Sequence, residues 1–411
     1  MAAETASVGA AAQATPGLVR RVEAVVFLTV FLDLVGFGIV IPMLPFYVQS
    51  MGGSARTVGI LLGCFSLTQL LATPLLGRYS DRHGRRAVIL LSLLANAVAM
   101  GLFALASFER MLPLLFASRI LAGATSGNIA ACQAALADVT TKQTRAKAMG
   151  RIGAGIGLGM VLGPTLGGLF SGLGAWVPPL LAGGLALVGF AGALVAMPET
   201  HPAELRVAAK AQTRWSALQD SPRRKALGMV LGLFFAVFLA MTTLQVAFAL
   251  LVQARLGWGS KEVGYTFAVV GGLGLIIQGG LIGPLARAVG EFRLLITGAL
   301  ILAGGMVGLA VSQQAIPMMA SVVLVGAGMG FLQPLISSLA SQVAPPAQQG
   351  AVLGLAQSCG GLARTVGPVA SGWMYASWST QAPFLTGMVS ALAAAGLGVL
   401  LSRESLEDAG R

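Results

Sequence analysis

The chain has 411 residues, of which 56% are hydrophobic and 10% charged, and its mean hydropathy is +0.84. A soluble domain carries about 25% charged residues, so this composition excludes an ordinary soluble fold and describes a chain threaded through a bilayer. The net charge of +12 is dispersed over short loops between apolar runs, which excludes the continuous basic face that nucleic-acid binding needs.

Residues 1–19 are Ala-rich and polar, with too little apolar surface to offset their ordering entropy, and predict a disordered tail. Arg20 and Arg21 then open an apolar run too long for a signal-peptide core, so the first helix is its own insertion signal. Runs long enough for a spanning helix, roughly 20 residues, lie at 22–47, 57–76, 87–106, 112–136, 148–170, 177–197, 226–251, 263–283, 294–312, 317–340, 351–375 and 383–402. The predicted fold is therefore an all-α membrane protein with twelve transmembrane helices in two pseudo-symmetric six-helix bundles, 22–197 and 226–402. Residues 1–21 and 403–411 are tails, and the polar stretch 198–225 is a linker with one surface helix over Ala203–Leu218. Pro317 and Pro334 interrupt the tenth run.

Orientation follows from the distribution of Lys and Arg. With both termini in the cytoplasm, the inner segments hold 20 of the 26 basic residues, and the outer loops hold Arg56, Arg110, Arg255 and Lys261. That bias is the positive-inside rule. Trp176, Trp258, Trp373 and Trp378 fall at outer ends, where an interfacial aromatic belt belongs.

Of the 14 acidic residues, Asp33 alone lies deep inside a span. Arg119 in span 4 and Arg364 in span 11 reach the same middle layer. Ionisable groups at that depth are costly and face a cavity or one another, so a central aqueous cavity with one carboxylate and two guanidiniums is expected. Burial and a neighbouring arginine act on a carboxyl in opposite senses, so a substrate arriving or leaving can tip the protonation of Asp33. The other reading is a permanent Asp33–Arg119 ion pair that fixes helix registry. Asn96, Asn128, Gln69, Gln133, Gln245, Gln278, Gln333 and Gln357 are candidate cavity liners or helix-helix glue. One carboxylate against two guanidiniums favours neutral, zwitterionic or anionic amphiphiles, with Arg364 as the better anion contact because Asp33 can occupy Arg119.

Two further patterns stand out in the first half. "GRYSDRHGRR" (77–86) sets the acceptor Asp81 among Arg82, Arg85 and Arg86, between Gly77, which permits close helix approach, and Gly84. In span 5, Gly155, Gly159, Gly163 and Gly167 recur every fourth residue and form one smooth ridge that Pro164 bends; Gly271, Gly272, Gly279 and Gly280 of span 8 are its expected partner surface. A shift of 204–206 residues lays "GRYSDRHG" over "GPLARAVG" (283–290) and "GPTLGG" (163–168) over "GPVASG" (367–372), with Arg287 on Asp81 and Glu291 on Arg85. Repetition at one offset is what a transporter of two six-helix halves shows.

Together with "FLDLVGFGIVIPMLPFYV" (31–48), "ASRILAGATSG" (117–127) and "GAGIGLGMVLGPTLGG" (153–168), the loop signature resembles the major facilitator superfamily, in particular its drug:proton antiporter branch of tetracycline-efflux-like proteins. The resemblance implies that Asp81 faces the start of span 11 near Gln349–Ala351 and latches one side, and that the span-5 ridge seals the halves so that substrate does not leak with the proton. It implies a proton-coupled exporter of small amphipathic molecules working by alternating access, with a small-molecule substrate and the lipid bilayer as its partners. A monomer in a bacterial cytoplasmic membrane is expected, with no cofactor or metal beyond the proton gradient. His83, His201 and the three cysteines form no ligand pattern, and no G-x-x-x-x-G-K phosphate loop is present. A uniporter or symporter, or a non-transporting receptor, remains as the alternative, and no enzyme constellation is present.

Overall fold

The computed structural model describes residues 15–126, 128–201, 224–344 and 349–409, and the secondary structure among them is helical. The tail 1–14 and the expected surface helix over Ala203–Leu218 lie outside the described residues.

Helix α1 (Pro16–Val40) starts six residues before the first predicted span. Thr15 Oγ1 accepts the Leu18 amide at 3.4 Å, and Pro16 fills a first-turn position that needs no N–H. A 3-10 turn (Ile41–Met43) joins α1 to α2 (Leu44–Ser50), because Pro42 and Pro45 each withdraw a donor from the ladder. Helices α3 (Ala55–His83) and α4 (Arg85–Glu109) follow. The fourth span is not the single helix expected at 112–136. It is two helices, α5 (Leu112–Thr125) and α6 (Asn128–Val139). The hydroxyls of Thr125 and Ser126 donate to the carbonyls of Leu121 at 2.9 Å and Gly123 at 2.8 Å, closing α5 with their own side chains.

The chain continues with α7 (Lys142–Phe170), α8 (Val177–Ala196), α9 (Arg224–Leu256) and α10 (Ser260–Ile276). A π-helical turn, Ile277–Leu281, leads into α11 (Ile282–Val289), where Pro284 has no N–H to offer. Last come α12 (Glu291–Val311), α13 (Ala315–Val343), α14 (Gln349–Ser377) and α15 (Ala382–Ala409). Helix α13 is continuous despite its two prolines. Pro317 sits in its first turn, where no donor is required, and Pro334 is accommodated inside it as membrane helices allow.

Among the described residues, eleven helical segments are long and apolar enough to cross a membrane. The twelfth, α14, has the length at 29 residues, and Gly, Ser, Gln and Arg364 dilute its apolar character. Two compact units form, Met1–Met51 with Leu67–Lys210, and Gly52–Ser66 with Ala211–Arg411. In unit 1, α1 packs along α7 and α8, and α4 against α8 and α5. In unit 2, α9 packs along α14 and α15, and α12 against α15 and α13. These pairings correspond one to one under the 204–206 shift, so the sequence repeat is also a packing repeat. The first turns of α3 belong to unit 2 because Gly59 and Gly63 receive Pro368 and Val369 of α14 at backbone distance, and Arg56 Nη2 donates to Ser377 Oγ at 2.8 Å.

Candidate functional site

Asp33 lies on α1, two turns before the helix breaks. Asn96 Nδ2 of α4 donates to its Oδ1 at 3.0 Å, and Asn128 of α6 also hydrogen-bonds the carboxyl. Asn128 is buried and is the first described residue after the break in span 4, so the interruption delivers its amide to the carboxylate.

The Asp33–Arg119 pairing weighed on sequence grounds does not form. Ion pairs among the described residues join Arg85 to Asp81, Arg85 to Asp138 and Arg151 to Glu23. Arg119 is 4% exposed, its Nη2 reaches Met100 Sδ at 3.6 Å, and its Cζ stands 4.6 Å from the centre of the Phe103 ring. Phe103 is in turn fixed by the edge of Tyr47, 5.2 Å between centroids at 77°. Two asparagines thus satisfy the carboxylate while a ring face and a thioether hold the guanidinium. Arg119 Nε keeps no hydrogen-bond partner.

In unit 2 the same device recurs on different helices. Arg364 of α14 lies over Phe238 of α9 at 4.6 Å. Gly360, one turn earlier, leaves room for that ring, since a Cβ there would stand 2.7 Å from Phe238 Cδ2. Gln245 is half-buried and Gln333 and Gln357 are exposed, with Gln333 Nε2 3.9 Å from Met241 Sδ. Gln133 of unit 1 is also exposed. An exposed amide in a span prefers water to hydrocarbon.

At the basic end of unit 1, Arg85 rather than Asp81 is the hub. Its guanidinium donates to Asp81, to Ser80 Oγ at 3.2 Å and to Asp138 Oδ2 at 3.3 Å. Arg86 turns away to the Leu194 carbonyl at 2.8 Å and Arg82 is exposed, so the expected ring of arginines around Asp81 reduces to one. A Cβ at Gly77 would meet no described atom within 4 Å. Gly84 is needed for another reason, a backbone φ of 102° that L side chains rarely adopt, and its counterpart Gly290 has φ 91°. Glu199 Oε1 accepts the amides of Arg85 and His201, both at 2.9 Å, and so caps the start of α4. Glu199→Ala should remove roughly 1 kcal/mol of local stability, read as faster amide hydrogen exchange over the first turn of α4; unchanged exchange would mean that the cap lies elsewhere.

In unit 2 the hub is inverted. Glu291 stands where Arg85 stands, and it accepts from Ser338 Oγ at 2.8 Å and from Gln342 Nε2 at 2.9 Å. Gln342 lies 204 residues after Asp138, so an arginine–carboxylate contact is replaced by a carboxylate–amide contact at the same place in the repeat.

The span-5 ridge packs on α1 of its own unit. A Cβ at Gly159 would stand 2.6 Å from Leu34 Cβ, and one at Gly163 2.6 Å from the Val35 carbonyl oxygen and 2.7 Å from Gly38 Cα. Gly167 meets the Ile39 carbonyl, and Pro164 Cδ lies 2.8 Å from where a Cβ of Gly38 would be. At Gly272, Gly279 and Gly280 an added Cβ would meet nothing within 4 Å. Backbone-to-backbone contact with α1 uses the whole ridge, which is why four glycines are in register.

Sequence reasoning missed Met100, Phe103 and Phe238, which look like ordinary filling in an apolar span. It also missed Asp138 and Glu199, hidden among loop charges that read as topology. Among the described residues no group of three His, Cys, Asp or Glu could hold a metal ion.

The sequence profile of the Major Facilitator Superfamily matches residues 26–366 and 279–410. The chain belongs to that superfamily. It is 31% identical to the class E tetracycline resistance protein of Escherichia coli over 87% of this chain and 89% of that one. Multidrug resistance protein 2 of Bacillus subtilis is 27% identical over 69% and 72%. Among solved structures, the human organic anion transporter MFSD10 superposes with a TM-score of 0.71 at 26% identity, covering 93% of this chain and all of the other. The superfamily assignment makes this a multi-pass membrane transporter and not an enzyme, with drug-efflux proteins among its relatives.

Proposed function

We propose that the chain is a proton-coupled antiporter that exports small amphipathic molecules by alternating access. The observation that carries this reading is the setting of Asp33, a lone carboxyl inside the span region whose hydrogen-bond partners are two neutral amides. An amide pair tolerates either protonation state of the carboxyl, whereas an arginine would lock the charged one. The relatives named for tetracycline and multidrug resistance support export, and the human relative described as an organic anion transporter supports an amphipathic cargo. Arg85 and its partners would then form the inner latch, on the side that the distribution of Lys and Arg assigns to the cytoplasm, in a bacterial cytoplasmic membrane. The protein works as a monomer, and the proton gradient takes the place of a cofactor.

Reconstitution tests it. Proteoliposomes with an imposed pH gradient should concentrate tetracycline or fluorescein against its gradient, and a protonophore should stop the movement. Equilibration at the same rate with and without the gradient would instead identify a uniporter.

A further inference from the structure

We propose that Arg364 and Phe238 form a recognition site for organic anions that carry an aromatic ring, so that the exported molecules are anionic amphiphiles. The proposal rests on the export reading and gives it a substrate class.

Three observations and one property of the guanidinium group carry it. Arg364 has no carboxylate and no hydrogen-bond acceptor among the described residues; its contact is the face of Phe238 at 4.6 Å. A guanidinium offers five N–H donors in a planar fork, and a ring face satisfies none of them along the fork edge. Arg119 is also short of acceptors, but it is sealed at 4% exposure, whereas Arg364 is half-buried. Lastly, the carboxylates of the described part of unit 2, Glu262, Glu291, Glu404, Glu407 and Asp408, all lie within the first or last two turns of their helices, so no negative charge of that unit's described residues shares the middle layer with Arg364.

The surroundings are shaped for an aromatic anion. Gln357, Gly360 and Arg364 follow one face of α14, and Phe238, Met241 and Gln245 follow one face of α9. Phe238 is held from behind by Gly360 and tilts against Phe234 at 6.2 Å. A carboxylate or sulfonate can take the fork in two parallel hydrogen bonds, while the ring of the ligand lies beside Phe238 and Met241 and the glutamines accept or donate at its polar substituents. A quaternary ammonium ion would meet a fixed positive charge in a low-dielectric wall.

A matched pair of probes on one aromatic body tests the site: 2-naphthoate and N,N,N-trimethyl-2-naphthylammonium, titrated calorimetrically into the purified full-length protein at a single pH. The anion should bind at least about tenfold more tightly than the cation, a difference of ~1.4 kcal/mol. Arg364→Gln should erase that preference, Arg364→Lys should retain part of it because charge remains while the fork and ring contact are lost, and Phe238→Leu should weaken the anion severalfold. Equal affinities in the unmodified protein would overturn the proposal whether or not any variant folds, and so would an anion preference undiminished in a folded Arg364→Gln. Binding without a gradient is silent about proton coupling. Anion binding with no gradient-driven export would therefore fault the antiport reading alone, and export without anion preference would fault this site alone.

Discussion

Asp33→Asn is expected to abolish gradient-driven export while leaving the protein folded. The substitution keeps the size of the side chain and an oxygen for the Asn96 amide, which now donates to Asp33 Oδ1 at 3.0 Å. It removes the ability to bind and release a proton, and with it the only carboxyl in the middle layer of the spans. Uphill accumulation in proteoliposomes should fall to the level of empty vesicles, while downhill exchange persists. Thermal unfolding in detergent should match the unmodified protein, because a neutral amide in place of the carboxyl creates no unpaired buried charge. Asp33→Ala is the harsher change, since it strands the Asn96 donor at a cost of about 1–3 kcal/mol. Undiminished uphill export by Asp33→Asn would remove Asp33 from coupling.

Gly163→Val should be the most damaging packing change. Its Cβ would stand 2.6 Å from the Val35 carbonyl oxygen and 2.7 Å from Gly38 Cα, and both obstacles are backbone. No side chain can swing aside, so α1 and α7 must part along the seam. Overpacking of this kind costs about 1–3 kcal/mol and occasionally more, enough to lower the unfolding temperature by several degrees and to depress yield. Gly155→Ala is the control on the same ridge, because its nearest neighbours are the Phe27 carbonyl at 3.4 Å and a ring that can give, at 3.5 Å. An unfolding temperature for Gly163→Val equal to that of Gly155→Ala would show that the seam is looser than its geometry.

The helices were legible because a bilayer imposes length and apolarity on each of them, and the repeat was legible because Gly84 and Gly290 must both be glycine to take positive φ. Asp33 announced itself as a charge where charge is costly. Its partners did not. Asn96 and Asn128 belong to a longer set of amides that sequence cannot rank, and the break that brings Asn128 to Asp33 depends on hydroxyls bonding back into their own helix. The natural guess for a buried carboxylate and a buried arginine is a pair, but nothing in a one-dimensional pattern says that Phe103 and Met100 will hold Arg119 instead. The glycine ridge was visible as a ridge, while its partner was not, because a smooth surface specifies closeness and leaves the identity of the neighbour to the fold.

The seam between α1 and α7 also has a mechanical meaning. Most helix interfaces meet through side chains, whose rotamers let one helix slide slightly before the other feels it. Leu34, Val35, Gly38 and Ile39 instead touch the backbone of α7 directly, and Asp33 is the residue immediately before them. A joint without rotamers has little compliance and almost no side-chain entropy to lose. Tilting α7 therefore carries the carboxyl with it, without slack, like a pin on a rigid lever.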